Sequence, residues 1–215
     1  EVTNMQRTPV GLNGSGGGVG ISQRNNVTGT TPDVQRRLRI HNSLIHNFQK
    51  NGLALDDGYT GATPNYNGRL IATVTDTIID GQTGALTDAP LGRNALVTDN
   101  GATLTVTDNT IRDFVWDGPS DPTTVASGIL LFDTRDVTIE DNAFENAQAA
   151  IYNVGDVFPI AGVPENSVTI AGNTFTGAMP DSPSNTSTSI TGLYGSSYSI
   201  TDNEISSTSA DDQQE

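Results

Sequence analysis

One short phrase recurs six times in this 215-residue chain: alternating apolar and polar residues, a turn, then another apolar residue. The copies end on the turns Ile40-His41-Asn42, Val74-Thr75-Asp76-Thr77, Val106-Thr107-Asp108-Asn109, Ile139-Glu140-Asp141-Asn142, Ile170-Ala171-Gly172-Asn173 and Ile200-Thr201-Asp202-Asn203. The anchors Ile40, Val74, Val106, Ile139, Ile170 and Ile200 are 34, 32, 33, 31 and 30 residues apart. Five residues beyond each anchor stands Ile45, Ile79, Ile111, Phe144, Phe175 or Ile205. A register kept this closely means one structural unit stacked on itself.

Within each phrase the period is two. Val137 and Ile139 point one way, Thr138 and Glu140 the other, which is the pattern of a half-buried strand. Val, Ile and Thr favour that conformation. A second strand follows in most units: Gly52–Leu55, Ala95–Val97, Gly128–Leu131, Ala150–Tyr152 and Gly192–Tyr194. A short third strand forms around the apolar residue after the turn. Residues 32–37 suit a short helical turn, and no longer helical periodicity is present. The strands are too short and too far apart for two-residue hairpins. Coils that each advance one strand spacing, ~4.8 Å, account for the pattern and make the chain an all-β parallel β-helix of about six coils. Asn109, Asn142, Asn173 and Asn203 then occupy one turn in successive coils. Stacked Asn side chains hydrogen-bond in a ladder, and Asn tolerates the left-handed backbone of a tight turn. Asn42 sits one place early and Thr77 replaces Asn, so the ladder is expected to break there.

These repeats resemble the right-handed parallel β-helix, or pectate-lyase-like, superfamily. The resemblance spans about 170 residues and is carried by short degenerate repeats. Such proteins include polysaccharide lyases, hydrolases and epimerases, and also tailspikes, adhesins and surface proteins without catalysis. The organisation read from the chain is a Gly/Asn-rich segment at 1–36, the β-helix at 37–208 and a polar tail at 209–215. Gly18-Val19-Gly20-Ile21 reads as the tail of an earlier coil. No capping helix is visible at either end, so self-association or continuation of a longer chain is expected.

Composition narrows the partners. The net charge is −15, from 25 acidic and 10 basic residues, and only one of the basic residues is Lys. Such an acidic surface suits a high-salt habitat, and a GC-rich genome is the alternative source of the Arg bias. Nucleic acids and anionic membranes are disfavoured, because phosphate binding needs a basic surface. Nothing resembles a membrane span or signal peptide. The chain has no Cys, which excludes disulfides and Cys-ligated metals. The sequons at Asn13, Asn26 and Asn185 would be glycan acceptors in a secreted protein. The Gly-rich run at 11–20 has no following Lys and is not read as a phosphate loop.

The resemblance implies where chemistry would sit. Polygalacturonase-like enzymes carry acid pairs in Asn-Thr-Asp-Gly and Gly-Asp-Asp, before the second strand. The matching positions here hold Gln49-Lys50-Asn51, Arg93-Asn94, Ser127 and Gln148, without an acid. Lyases of the superfamily use a basic residue and carboxylate-bound Ca²⁺, which nominates Lys50 and Arg93 as catalytic residues; the alternative is two lone surface charges. Asp57, Asp99 and Asp133 align at one turn and are candidate Ca²⁺ ligands. Asp76, Asp108, Asp141 and Asp202 form a second column. The alternative, and the reading that turn chemistry favours, is that both columns are structural turn residues. His41 and His46 are expected to face outward. Tyr59, Tyr66, Trp116 and Phe158 lie in or beside long loops and are candidate carbohydrate-stacking residues, while Phe114, Phe132, Phe144, Phe175 and Tyr152 fit the core. The expected function is an extracellular, cell-surface or virion module contacting polysaccharide, such as a fibre, adhesin or tailspike segment. The alternative is a Ca²⁺-dependent uronate lyase or epimerase.

Overall fold

The computed structural model describes residues 18–24, 35–56, 59–60, 63–64, 70–81, 92–99, 101–115, 126–155, 166–177, 188–193 and 196–206. Their strands form three parallel sheets of six strands each and one antiparallel pair. Face I contains Arg36–His41, Leu70–Thr75, Thr103–Thr107, Asp136–Glu140, Asn166–Ala171 and Ser196–Thr201. Face II contains Leu44–His46, Ile78–Asp80, Thr110–Phe114, Ala143–Ala147, Thr174–Thr176 and Glu204–Ile205. Face III contains Val19–Arg24, Asn51–Asp56, Asn94–Asp99, Ser127–Phe132, Ala149–Gly155 and Thr188–Gly192. The chain visits I, II and III in that order on every coil, so each strand pairs with its equivalent one coil away. This is a parallel β-helix. No helix occurs among the described residues, and none is long and apolar enough to cross a membrane.

The interior follows the alternation. On face I, Ile40, Val74, Val106, Ile139, Ile170 and Ile200 stand in register, and so do Leu38, Ala72, Leu104, Val137, Val168 and Tyr198. Face II supplies Ile45, Ile79, Ile111, Phe144, Phe175 and Ile205. Face III supplies Ile21, Leu53, Leu96, Ile129, Ile151 and Ile190. Most of these are fully buried, each stabilising the stack by roughly 1.5–3 kcal/mol. Phe144 and Phe175 stack at 5.0 Å between ring centroids, almost coplanar at 6°. At the start of face III the coils approach closely: a Cβ on Gly128 would lie 2.5 Å from the carbonyl oxygen of Ala150.

The expected helical turn at 32–37 is not formed at Arg36 and Arg37, which open a face I strand paired with Leu70–Thr75. Cross-coil hydrogen bonding outweighs the local preference there; residues 32–34 lie outside the described residues. The one antiparallel pair, Tyr59–Thr60 with Thr63–Pro64, belongs to a side connection rather than to the repeat.

The corner between faces I and II is the same tight turn in every coil. Asn42, Asp76, Asp108, Asp141, Gly172 and Asp202 take positive φ, between 48° and 65°. The left-handed residue is thus the one before the ladder Asn. Asp and Asn adopt this conformation at low cost because their short polar side chains bond locally. The following residues, Ser43, Thr77, Asn109, Asn142, Asn173 and Asn203, form the inward column. Asn142 Oδ1 accepts from the backbone N–H of Asn109 at 3.0 Å and from its side-chain Nδ2 at 2.9 Å. Asn142 Nδ2 donates to Asn173 Oδ1 at 2.9 Å and to the Val106 carbonyl at 2.9 Å. The same links join Asn173 to Asn203. At the lower end Thr77 N–H still donates to Asn109 Oδ1 at 2.9 Å, but the Thr77 and Ser43 hydroxyls donate to carbonyls of their own turns. The side-chain ladder stops where the amides stop.

Removing one interior rung strands buried amides above and below it, at roughly 1–3 kcal/mol for each unpaired group. Asn142→Ala is therefore expected to cost about 3 kcal/mol in urea unfolding, and Asn203→Ala, at the half-exposed end, about 1 kcal/mol. Equal losses would contradict the ladder's role.

Candidate functional site

The three corners are not equivalent. The I-to-II corner never lengthens. Residues 82–91, 116–125 and 178–187 separate face II from face III, and residues 25–34, 57–69 and 156–165 separate face III from the next face I strand. Every long connection therefore leaves from one of the two borders of face III. Connecting segments carry binding and catalytic residues more often than the scaffold does, which makes the outer side of face III the candidate site.

Its outward residues differ from those of face I. The central outward column of face I is Arg39, Thr73, Thr105, Thr138, Thr169 and Ser199. On face III the corresponding column is Ser22, Ala54, Val97, Leu130, Tyr152 and Thr191. Val97, Leu130 and Tyr152 are half-buried, and Phe132 and Val154 extend the apolar surface beside them. Asp56 and Asp99 lie opposite each other at the end of this surface. Tyr152 and Phe132 thus point outward, not into the core; Ile151 and Leu131 fill the interior positions that alternation gives them. Phe114, Phe144 and Phe175 are buried.

Lys50 and Arg93 precede the paired residues Asn51 and Asn94 and so occupy one column at the II-to-III border. Lys50 Nζ donates to the Gly92 carbonyl. Arg93 Nη1 donates to the Gly81 carbonyl at 2.8 Å. Burial pulls the Lys50 ammonium below its ordinary value of 10.5. The next members of the column are Ala126 and Gln148, and Gln148 Oε1 accepts from Ala126 N–H at 3.2 Å. Beside them Asn94 Nδ2 donates to Asn51 Oδ1 at 3.0 Å. The two cations hold backbone carbonyls where the 82–91 connection leaves and rejoins the coil.

The candidate Ca²⁺ column has a different register. Asp99 faces Asp56; Asp57 lies outside the described residues. Asp133 stands two residues past Leu131, the partner of Thr98, so it falls one position beyond Asp99 in the stack. It is a buried turn residue at φ 43°, and its N–H donates to the Gly155 carbonyl at 3.1 Å. Among the described residues no three His, Cys, Asp or Glu side chains form a metal-binding group. Asp76, Asp108, Asp141 and Asp202 are the exposed left-handed turn residues already described.

His41 is exposed, with Nδ1 3.1 Å from Asp76 Oδ2. Arg112 Nη2 lies 2.8 Å from Asp80 Oδ2 on the outside of face II, and this bond, with the Asp80 charge, raises the guanidinium's pKa. Tyr59 is on a strand of the side connection, and Tyr66, Trp116 and Phe158 lie outside the described residues. A cavity of about 10 Å³ lined by Phe144, Phe175 and Ser189 has room for about one water.

The Lys50 environment has a pH signature. Because its folded value lies below 10.5, the folded state disfavours the proton, and the resulting destabilisation disappears as pH rises from the folded value to 10.5. The parent should therefore gain stability relative to Lys50→Met across that alkaline window. A pH-independent difference in their unfolding free energies would contradict this.

No curated protein and no solved structure matches the chain. The family model described as a right handed beta helix region matches residues 33–205, most of the chain and nearly all of its repeats. With the parallel three-faced stack, this match shows that the chain belongs to the right-handed β-helix family.

Proposed function

We propose that this β-helix is a non-catalytic extracellular, cell-surface or virion module that contacts polysaccharide along the outer side of face III. The observation that carries this reading is the apolar outward column Val97, Leu130 and Tyr152, lying between the two borders from which all the long connections leave. Pyranose rings present apolar faces that pack on such a surface, and their hydroxyls donate to carboxylates such as Asp56 and Asp99. Tyr59, Tyr66, Trp116 and Phe158 belong to those connections or adjoin them and would add aromatic contacts. A fibre, adhesin or tailspike-like setting fits a straight scaffold with variable borders. The net charge of −15 favours solubility in salt and neutral or cation-bridged glycans over polyanions.

A second reading is a Ca²⁺-dependent uronate lyase or epimerase using Lys50 or Arg93 with Asp57, Asp99 and Asp133. The shared column of the two cations favours it. Their bonds to the Gly92 and Gly81 carbonyls weigh against it, because a proton-abstracting base must reach the substrate.

Affinity electrophoresis through alginate, pectate and neutral glycans separates the two. For the glycan that binds, Tyr152→Ala should weaken retention by roughly 2- to 10-fold while Thr138→Ala on face I leaves it unchanged. Unaltered retention in Tyr152→Ala would contradict the proposal. Unsaturated uronates released by the parent, and lost on EDTA treatment or in Lys50→Ala and Arg93→Ala, would establish the second reading instead.

A further inference from the structure

The two ends of the stack differ in charge and in cover. Residues 1–55 contain six basic and two acidic side chains, whereas residues 136–215 contain twelve acidic and none basic. Among the described residues this polarity lies along the coil axis, because the chain climbs one coil per repeat. At the N-terminal end, Arg36, Arg37 and Arg39 stand exposed on the outermost strand of face I. At the C-terminal end, Asp202 and Glu204 are exposed beside the last strands.

The C-terminal end also cuts through the core columns. Tyr198, Ile200 and Ile205 are 39%, 50% and 59% exposed, while their counterparts one coil below, Val168, Ile170 and Phe175, are at most 3% exposed. Leu193 adds another exposed apolar side chain, at 51%. Ser196–Thr201 pairs on one side only, with Asn166–Ala171, and its other backbone edge is open among the described strands. The ladder is open there too: Asn173 N–H donates to Asn203 Oδ1, but Asn203 N–H has no acceptor among the described residues. Arg36–His41 is likewise an edge strand, paired only with Leu70–Thr75.

We propose that the acidic, apolar C-terminal end of the stack is a docking surface for the basic N-terminal end of a second copy of this chain. Placing Arg36–His41 of one copy over Ser196–Thr201 of another continues face I in the parallel sense that all six of its strands already follow. It sets Leu38 over Tyr198, Ile40 over Ile200, and Arg37 and Arg39 over Ser197 and Ser199, on the same end face as Asp202 and Glu204. The opposite arrangement, two C-terminal ends face to face, would appose like charges and reverse the strand direction. Head-to-tail contact uses different surfaces on the two partners, so it does not close and builds linear chains of copies. The attraction is screened by salt, whereas the apolar contact is not. This inference is independent of glycan binding.

Sedimentation velocity over a concentration series tests it on the 215-residue chain. The weight-average mass should rise with concentration, and more steeply at low salt. Ile200→Glu/Ile205→Glu and Arg37→Glu/Arg39→Glu, all at exposed positions, should each weaken self-association about tenfold or more. Mixing these two variants should restore a dimer and nothing larger, since each keeps the end the other lacks. Melting curves confirm folding; Asp202→Arg/Glu204→Arg repeats the test if the Ile pair lowers the melt. A monomer at every concentration and salt overturns the proposal. So does loss of association in the Ile variant with full retention in the Arg variant, which marks tail-to-tail contact, or a mixture that stays monomeric.

Discussion

In a parallel stack with unbroken register, the nearest neighbour of each side chain is its own counterpart ~4.8 Å away in the next coil. That constraint decides which residue types each column tolerates. Apolar residues gain from it, and the interior columns of Ile, Val, Leu and Phe show the result. Asn tolerates it because it both donates and accepts, so every rung satisfies the next. Buried Asp does not: two carboxylates at this spacing repel by ~3.5 kcal/mol at an effective dielectric of 20, against ~1 kcal/mol in water, and cannot donate to each other. This explains the order Asp108-Asn109, Asp141-Asn142 and Asp202-Asn203. The acid takes the exposed left-handed place, and the amide takes the buried one.

The same constraint divides the molecule into invariant and variable parts. A ladder rung requires a turn of constant length, so the I-to-II corner admits no insertion. Neither border of face III carries a continuous side-chain ladder, and both lengthen freely. Lys50 and Arg93 mark one of these borders, where a long cationic side chain reaches a carbonyl across the connection. The constant corner and the variable borders are thereby separated on one short coil. Sequence can diverge around face III without disturbing the column that fixes the register.

The columns were legible in the chain because stacking repeats them six times. The anchors, the apolar residues five places later and the Asn positions can all be aligned without a structure. Single positions were harder. Asp57, Asp99 and Asp133 align by their place after a Gly-Ile-like strand, yet backbone pairing sets Asp56 against Asp99. A shift near Leu131 and Phe132 displaces Asp133, and such irregularities leave no compositional trace. Tyr152 was readable in principle, since it follows the inward Ile151 by one residue. Its aromatic ring suggested core, and the period-two pattern is the better guide. The burial of Lys50 depends on chain segments that depart from the repeat, so periodicity could not reveal it.

Residue-resolved amide hydrogen exchange tests the ladder most directly. If stacked Asn side chains hold the register, the backbone amides of Asn109, Asn142 and Asn173, each bonded to the Asn above, should be among the slowest to exchange. The amide of Asn203, with no rung above it among the described residues, should exchange much faster. Similar rates at all four positions would contradict the account.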